Sequence, residues 1–284
     1  PGVTVEKKSG LFRKNKDIII QDLPGIYSLS PYTSEEVISR NYLLSGNADG
    51  ILDVVDATNL ERNLYLSLQL IETGIPVVLA LNMSDVVEKQ GKWIDTTKLS
   101  YQLGVPVVAT SALKKTGIDQ VMQQAMRVMN QVEEAFYPAY DNHFEAALSE
   151  IIRILGNAVP QKQARFYAIK LFERDKELSE QLALSDFQKT EIEDAIRITE
   201  EIYNEDAETI VVNARYEFIE SAVKMALQAD VTKLSLSDKI DRIVTNRYLA
   251  LPIFALVMWL VYFLSIQTIG TMGTDWTNDV LFGE

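Results

Sequence analysis

The 284-residue chain contains no cysteine and a single histidine, His143. Without thiols it cannot build a disulfide, a zinc–thiolate centre or an iron–sulfur cluster from its own side chains. The histidine lies in a polar stretch, where a turn or helix-cap role is far more common than metal binding. If the protein handles a metal, we therefore expect most of the ligands outside this segment.

An excess of positive charge is also lacking. The chain has 27 Lys and Arg residues against 40 Asp and Glu residues, a formal net charge of -13 and a pI of about 4.7. Proteins that bind DNA, RNA or ribosomes usually carry a basic surface, so we expect no nucleic-acid partner. An acidic balance is typical of a domain that must stay soluble in the cytosol.

Short apolar runs in the first part of the chain predict strands. Val- and Ile-rich stretches at 17–22, 51–55, 76–81 and 105–109 suit strands that are buried on both faces. Helical spacing of leucine and valine lies between them. This alternation predicts an α/β domain over residues 1–137, with a mostly parallel sheet and helices on both faces. Ligands of such sheets bind at the carboxyl ends of the strands.

From residue 138 the strand pattern gives way to helical periodicity. We predict an all-α helical domain over residues 138–233 and a linker over 234–248. The apolar stripes expected to form its core include Phe144, Leu148, Ile151 and Leu155, followed by Phe187, Ile192, Ile196 and Ile202.

An uncharged, mostly apolar run covers residues 249–266. Its length matches a bilayer span, so we predict a transmembrane helix over residues 249–269. Pro252 near the start of the run is tolerated in a membrane helix. The alternative is a buried helix of a soluble protein.

The charges on either side of this run predict its orientation. Lys239, Arg242 and Arg247 precede it, whereas only acidic side chains follow it. The positive-inside bias therefore places residues 1–247 in the cytoplasm. Residues 270–284 would then begin an extracytoplasmic segment.

Two segments near the start contain candidate magnesium and phosphate ligands. Asp22 ends the first predicted strand and is followed by Gly25 in a DxxG pattern. An aspartate at a strand end can hold Mg²⁺ through water, and a glycine lets the backbone approach a terminal phosphate. The Thr4 hydroxyl can ligate Mg²⁺ when a third phosphate is present. Each pattern alone is weak.

Two further segments fit the recognition of guanine. Asn82 and Asp85 follow the third predicted strand, and Ser111 follows the fourth. The Asp85 carboxylate can accept hydrogen bonds from the N1–H and 2-amino groups of guanine, a donor pair that adenine lacks. Asn82 would support the loop, and the backbone N–H near Ser111 can meet the guanine carbonyl. The competing interpretation of Asn82 to Asp85 is an ordinary polar turn.

The conjunction of these segments is more specific than any one of them. They occur in one order, with 60 residues from Asp22 to Asn82 and 29 from Asn82 to Ser111. This order and this spacing are those of a small GTPase-like domain.

The sequence resembles the bacterial ferrous-iron transport protein B (FeoB) family over essentially its whole length. Met83 is distinctive, because most related GTPases carry lysine at that position. The segments that carry the resemblance are residues 1–6, DLPGIYSLSPYTSEE at 22–36, VVDATNLERNLYL at 54–66, ALNMSD at 80–85, GNAVPQKQARFYAIKLFE at 156–173 and DKIDRIVTNRYLALPIF at 238–254.

The resemblance implies GTP or GDP and Mg²⁺ as ligands. Thr4 and Asp22 would serve Mg²⁺, and Gly25 would contact the γ-phosphate. Residues 2–15 and 25–45 would form the two switch segments.

The resemblance also assigns the base pocket. Asn82, Met83 and Asp85 would read guanine, and Ser111 and Ala112 would line the base. Ile26 stands where many GTPases place a water-orienting glutamine. Relatives with an apolar residue there are slow and often use K⁺ at the phosphates, and we expect the same here.

At the level of the whole protein, the resemblance implies the GTP-binding part of a ferrous-iron transporter in the bacterial inner membrane. Its expected partners are the lipid bilayer, the remaining permease domain and small Feo accessory proteins. The iron pathway is expected outside this segment.

The chain departs from the family at one point. The phosphate loop GxxxxGK[ST] occurs nowhere in residues 1–284, and the first strand of the domain is missing with it. We expect a fragment whose parent has that loop upstream. Two alternatives remain, a nucleotide-dead membrane adaptor and a GTPase of ribosome assembly or tRNA modification.

The missing loop predicts weak nucleotide binding. The nest of N–H groups and the lysine of a phosphate loop supply most of the affinity for phosphates. We expect residues 1–284 to bind GTP poorly and to hydrolyse it negligibly. A titration with a fluorescent guanine nucleotide tests this, and micromolar affinity would refute it.

Overall fold

A computed structural model describes residues 8–30, 33–130, 136–229, 244–246, 249–271, 276–277, 280 and 283. The chain divides into two compact units, Pro1–Ala229 and Asp230–Glu284, and each is described by itself.

The first unit contains seven described strands and ten described α-helices. The strands are β1 (Lys8–Leu11), β2 (Ile19–Asp22), β3 (Ile51–Asp56), β4 (Val77–Asn82), β5 (Lys92–Ile94), β6 (Val107–Ala109) and β7 (Leu227–Ala229). The helices are α1 (Ser34–Leu44), α2 (Leu60–Glu72), α3 (Ser84–Lys89), α4 (Thr96–Leu103), α5 (Ile118–Asn130), α6 (Asn142–Leu155), α7 (Ala164–Phe172), α8 (Lys176–Gln181), α9 (Asp186–Tyr203) and α10 (Ala207–Ala226).

A three-stranded parallel sheet in the order β3-β4-β6 forms the centre of the α/β part. Its middle strand, β4, is buried along almost its whole length. This burial follows from the continuous apolar run, which offers no polar face to water. The predicted parallel sheet with flanking helices is confirmed.

One face of this sheet is only half covered. Val78 and Ala80 of β4 pack against α5, together with Val108 of β6. On the same face Leu52 and Val54 of β3 remain 39% and 61% exposed. No strand among the described residues pairs with the outer edge of β3. Strand β3 therefore exposes apolar side chains on this face and unpaired backbone groups along its outer edge, and no described element covers either.

The strand that precedes the DxxG pattern is not part of this sheet. β2 pairs antiparallel with β1 in a separate two-stranded sheet, and Ile19 and Ile20 are 68% and 44% exposed. The prediction of a buried strand in one sheet with β3, β4 and β6 is therefore wrong. The physical reason is that no described strand lies between β2 and β3 to join the two sheets.

The helical part has its own apolar core, built from α6, α7, α9 and α10. The stripe on α6 is buried as predicted, from Phe144 to Leu155. On α9 the prediction is half wrong, because Ile192 and Ile196 are buried whereas Phe187 and Ile202 are 72% and 53% exposed. The buried face of α9 is narrower than its apolar sequence pattern.

Helix α10 belongs to two cores. Ile210 and Val211 in its first half lie in the helical core, whereas Ile219 and Val223 in its second half lie in the core under the sheet. The chain then forms β7, which pairs antiparallel with β5. A single long helix therefore ties the helical part to the α/β part.

A buried ion network lies where α10 passes between these cores. The Arg215 guanidinium donates to Glu72 of α2 at 2.8 Å and to Glu173 after α7 at 2.8 Å, and its side chain is 1% exposed. Burial alone would raise the pKa of Glu173, but the charges of Arg215 and Lys170 hold that pKa below its ordinary value. A second buried pair joins Arg40 of α1 to Asp175 at 2.9 Å.

In the second unit the described residues include an α-helix, α11 (Ala250–Tyr262), which continues as a π-helix over Phe263–Gly270. Its side chains include Leu251 and Trp259, which are 75% and 63% exposed. Across the described ranges, none of the helices combines the length and the apolar character that crossing a membrane requires.

The Arg215 network makes a stability prediction. Replacing Arg215 with Met would leave the Glu72 and Glu173 carboxylates buried without their cation, so we expect a loss of about 3–5 kcal/mol of unfolding free energy. Arg197→Met, in an exposed pair on α9, is the matched control and should change stability little. Urea unfolding followed by circular dichroism measures both. Equal effects from the two substitutions would contradict the prediction.

Candidate functional site

Two loops meet at the carboxyl edge of the parallel sheet. One follows Asn82, the last residue of β4, and the other follows β6 and begins with Thr110. The two strands pair in parallel with Leu81 opposite Ala109. Because parallel neighbours end at the same edge, the two loops emerge side by side.

Side chains from the first loop connect it to the second. The Asn82 carbonyl oxygen Oδ1 accepts a hydrogen bond from the Ala112 backbone N–H at 3.0 Å. The Ser84 hydroxyl donates to the Thr110 carbonyl at 2.8 Å, and the Ser84 backbone N–H donates to it at 3.2 Å. These bonds fix the distance between the loops.

Met83 stands at the bend of the first loop. Its φ is 62°, in the left-handed region that a side chain normally avoids. This bend places Ser84 and Asp85 at the start of α3, while the Met83 side chain remains 44% exposed. Strained backbone of this kind is often retained at binding sites.

Asp85 is the most unusual polar group of the site. Its side chain is 7% exposed, yet Oδ2 has no hydrogen-bond partner in the part of the chain that the structure describes. A hydrogen bond from Ser111 and, more weakly, the charge of Lys114 hold the pKa of Asp85 below its ordinary value. An ionised, nearly buried carboxylate with one oxygen still open to a hydrogen bond fits a ligand that offers paired N–H groups.

The second loop closes on itself behind this carboxylate. Ser111 and Thr116 exchange backbone hydrogen bonds of 3.2 and 3.1 Å. Gly117 has a φ of 78°, and a Cβ there would lie 2.3 Å from the Ala109 carbonyl oxygen. Only glycine fits this close approach. The sequence prediction missed Thr116 and Gly117, although a glycine shortly after the Ser-Ala pair was an available signal.

Asp56 also reaches this edge and was not predicted. It ends β3 opposite Asn82 in the register, and its Oδ1 accepts hydrogen bonds from the Thr58 backbone and hydroxyl at 2.8 and 2.7 Å. Burial alone would raise the pKa of Asp56, but the bonds from Thr58 and Asn59 hold that pKa below its ordinary value. The contacts assign it to capping the turn after β3.

Of the predicted phosphate and magnesium residues, the two that the structure describes lie outside the three-stranded sheet. Asp22 is exposed at the end of β2, in the separate sheet. Gly25 is exposed in the following loop, and open space surrounds the position of a Cβ. Thr4 lies outside the described residues. Within those residues no group of three or more His, Asp or Glu side chains could hold a metal ion.

The loop after Gly25 is held from the other side by α2. The Ser28 hydroxyl and the Leu29 backbone N–H both donate to Gln69 Oε1. The Arg62 guanidinium lies 4.9 Å from the centre of the Tyr27 ring. The structure thus brings Asn82, Met83, Asp85, Ser111 and Ala112 together at the ends of β4 and β6, whereas Asp22 ends a strand of another sheet and Gly25 follows it.

Comparison with known protein families gives two matches. Residues 1–125 match the family described as ferrous iron transport protein B, and residues 140–228 match the FeoB cytosolic helical domain.

Named relatives extend this likeness. The chain is 40% identical to an Fe(2+) transport protein A/Fe(2+) transporter FeoB fusion protein of Porphyromonas gingivalis, over 97% of this chain and 34% of that protein. It is 36% identical to the Fe(2+) transporter FeoB of Escherichia coli, over 95% of this chain and 35% of that protein. The chain spans about a third of the length of these relatives.

Solved structures show the same fold. A GDP-bound mutant of the S. thermophilus FeoB G-domain is 64% identical, with a TM-score of 0.78 over 80% of this chain and 88% of that one. S. thermophilus NFeoB bound to GDP, AlF4⁻ and K⁺ is 65% identical, with a TM-score of 0.77 over 79% of this chain and 88% of that one.

The orphan oxygen of Asp85 predicts a switch in base preference. Asp85→Asn replaces one acceptor with an N–H donor, which opposes the guanine amino group but can donate to the C2 carbonyl of xanthine. We expect guanosine affinity to fall about tenfold or more, with xanthosine preferred instead. Equilibrium dialysis of the two nucleosides measures this. Glu88→Gln on the same short helix is the control, and an unchanged preference in Asp85→Asn would contradict guanine recognition.

Proposed function

The chain belongs to the ferrous iron transport protein B family, and from this premise we propose that it is the cytoplasmic guanine-nucleotide-binding part of a bacterial ferrous-iron transporter. The observation that supports this most directly is the nearly buried Asp85 Oδ2, which receives no hydrogen bond from the described residues, at the meeting of the loops after β4 and β6.

In this proposal the base is read at that edge. Asp85 accepts hydrogen bonds from the N1–H and 2-amino groups of guanine. Asn82 holds the second loop in place by accepting the hydrogen bond of the Ala112 backbone N–H. Met83 packs on the base with its exposed thioether chain, and the backbone at Ser111 and Ala112 faces the guanine carbonyl. Adenine cannot offer the donor pair, so the nucleotide is GTP or GDP.

The phosphates and Mg²⁺ belong to the other side of the site. Thr4 and Asp22 would hold Mg²⁺, and Gly25 would let the backbone reach the γ-phosphate. Mg²⁺ supplies charge neutralisation at the phosphates. Because Ile26 has no polar group to orient water, we propose slow hydrolysis assisted by K⁺, which one S. thermophilus relative holds together with GDP and AlF4⁻.

The bare part of the sheet supports a phosphate loop in the parent protein. Leu52 and Val54 leave an apolar face beside α5, and the outer edge of β3 has no partner among the described strands. A strand followed by a helix would cover both, and a phosphate loop lies between such a pair. A nucleotide-dead adaptor would need neither the bare edge of β3 nor an Asp85 oxygen that is open to a hydrogen bond.

We also propose that residues 249–269 cross the bilayer. The uncharged run and the preceding Lys239, Arg242 and Arg247 support this, with residues 1–247 cytoplasmic and 270–284 beginning the far side. The permease domain of the parent would follow. The helical domain predicted over 138–233 ends its described part in β7, which pairs with β5. Tied to the α/β part in this way and through α10, it would pass nucleotide-dependent changes toward the membrane.

A change of nucleotide specificity tests the whole proposal. The parent transporter in proteoliposomes should take up Fe²⁺ with GTP, and its Asp85→Asn variant should take up Fe²⁺ with xanthosine triphosphate instead. This follows because the substitution moves base selectivity without touching the phosphates. If the variant takes up Fe²⁺ equally well with GTP and with xanthosine triphosphate, the proposal is overturned. Glu88→Gln should retain the GTP dependence.

A further inference from the structure

We propose that Lys114 competes with guanine for the Asp85 carboxylate and so sets the affinity of the base pocket. This inference rests on the proposed function. It assigns a role in setting base affinity to a residue outside the Asn82 to Asp85 and Ser111 to Ala112 segments.

The geometry places the Lys114 ammonium beside Asp85 Oδ2, one of the two oxygens that the base requires. Lys114 Nζ lies 3.6 Å from Asp85 Oδ2, and the two side chains are 50% and 7% exposed. Oδ2 is the carboxylate atom that has no hydrogen bond from the described residues. The Lys114 ammonium can therefore form this missing hydrogen bond after a small movement. A charge-assisted hydrogen bond is only about 0.7–0.9 Å shorter than the present distance between Nζ and Oδ2.

The backbone of the second loop holds Lys114 at this position. Its backbone N–H donates to the Ser111 hydroxyl at 3.2 Å, and the loop is closed by the paired bonds between Ser111 and Thr116. Lys115 has a φ of 56° and turns the chain back toward Thr116. The backbone of Lys114 is thus fixed near Asp85, while its half-exposed side chain can swing toward water.

Competition follows from the number of donors that a nearly buried carboxylate can receive. Guanine presents two N–H donors to the two oxygens, in the plane of the carboxylate. An ammonium drawn fully onto Oδ2 occupies the same approach. Guanine can enter only when Lys114 gives up this attraction, so the ion pair subtracts from the affinity for the base.

A neutral ligand separates this effect from phosphate binding. Guanosine carries no phosphate, so its binding reports the base pocket alone, and saturation-transfer NMR on the full 284-residue chain in detergent measures it. We expect Lys114→Met to bind guanosine about two- to fivefold more tightly, the range that a half-exposed ion pair can supply.

Lys115→Met is the matched control. Lys115 is the adjacent lysine of the same loop and makes no ion pair within the described ranges. The same substitution there should leave guanosine affinity unchanged. Salt gives a second readout. Screening between about 0.02 M and about 0.5 M salt should raise the affinity of the unsubstituted chain and of Lys115→Met but not that of Lys114→Met.

The outcomes are distinguishable from failure of the proposed function. If the unsubstituted chain binds guanosine no better than adenosine, guanine recognition itself fails. If guanosine is preferred but Lys114→Met binds it equally or more weakly, the competition is refuted while guanine recognition stands.

Discussion

The buried ion network around the Arg215 guanidinium is the interaction on which the first unit depends. The guanidinium lies in the middle of α10, between the half that packs in the helical core and the half that packs under the sheet. Its partners Glu72 and Glu173 come from α2 and from the end of α7. A buried charge with two buried counter-charges tolerates little change in position, so this network fixes the register of three helices at once.

That constraint reaches the candidate site through α10. The second half of the helix packs against α4, where Leu99 and Leu103 are fully buried. Helix α4 leads into β6 and then into the loop that carries Ser111. The end of α10 continues into β7, which pairs with β5 just after α3. Both loops that would face a guanine base are therefore attached to elements that rest on one helix.

The site itself is a small set of polar groups in a rigid frame. Asn82 and Ser84 join the two loops with hydrogen bonds, and Gly117 permits the close return of the second loop. Against this frame Asp85 stays nearly buried and ionised. Its Oδ2 has the Lys114 ammonium 3.6 Å away but no hydrogen bond from the described residues, which is why we read the arrangement as a recognition site for a donor pair. Lys114 then acts as a mobile counter-charge at the same atom.

The sequence by itself determined the three parallel strands and the loops that follow β4 and β6, because continuous apolar runs and turn residues act locally, whereas the short strands β1, β5 and β7 were not predicted. It also determined family membership, since Met83 in its motif and the DxxG loop are local patterns. Only the tertiary structure decided that Asp22 lies in a separate sheet, because strand pairing depends on a neighbour that no local pattern supplies. The burial of Asp85, the reach of Lys114 and the Arg215 network were likewise decided in three dimensions. The Lys114 and Arg215 contacts join residues that are distant in sequence. The burial of these charged groups, which decides how strongly they interact, is known only from the folded structure.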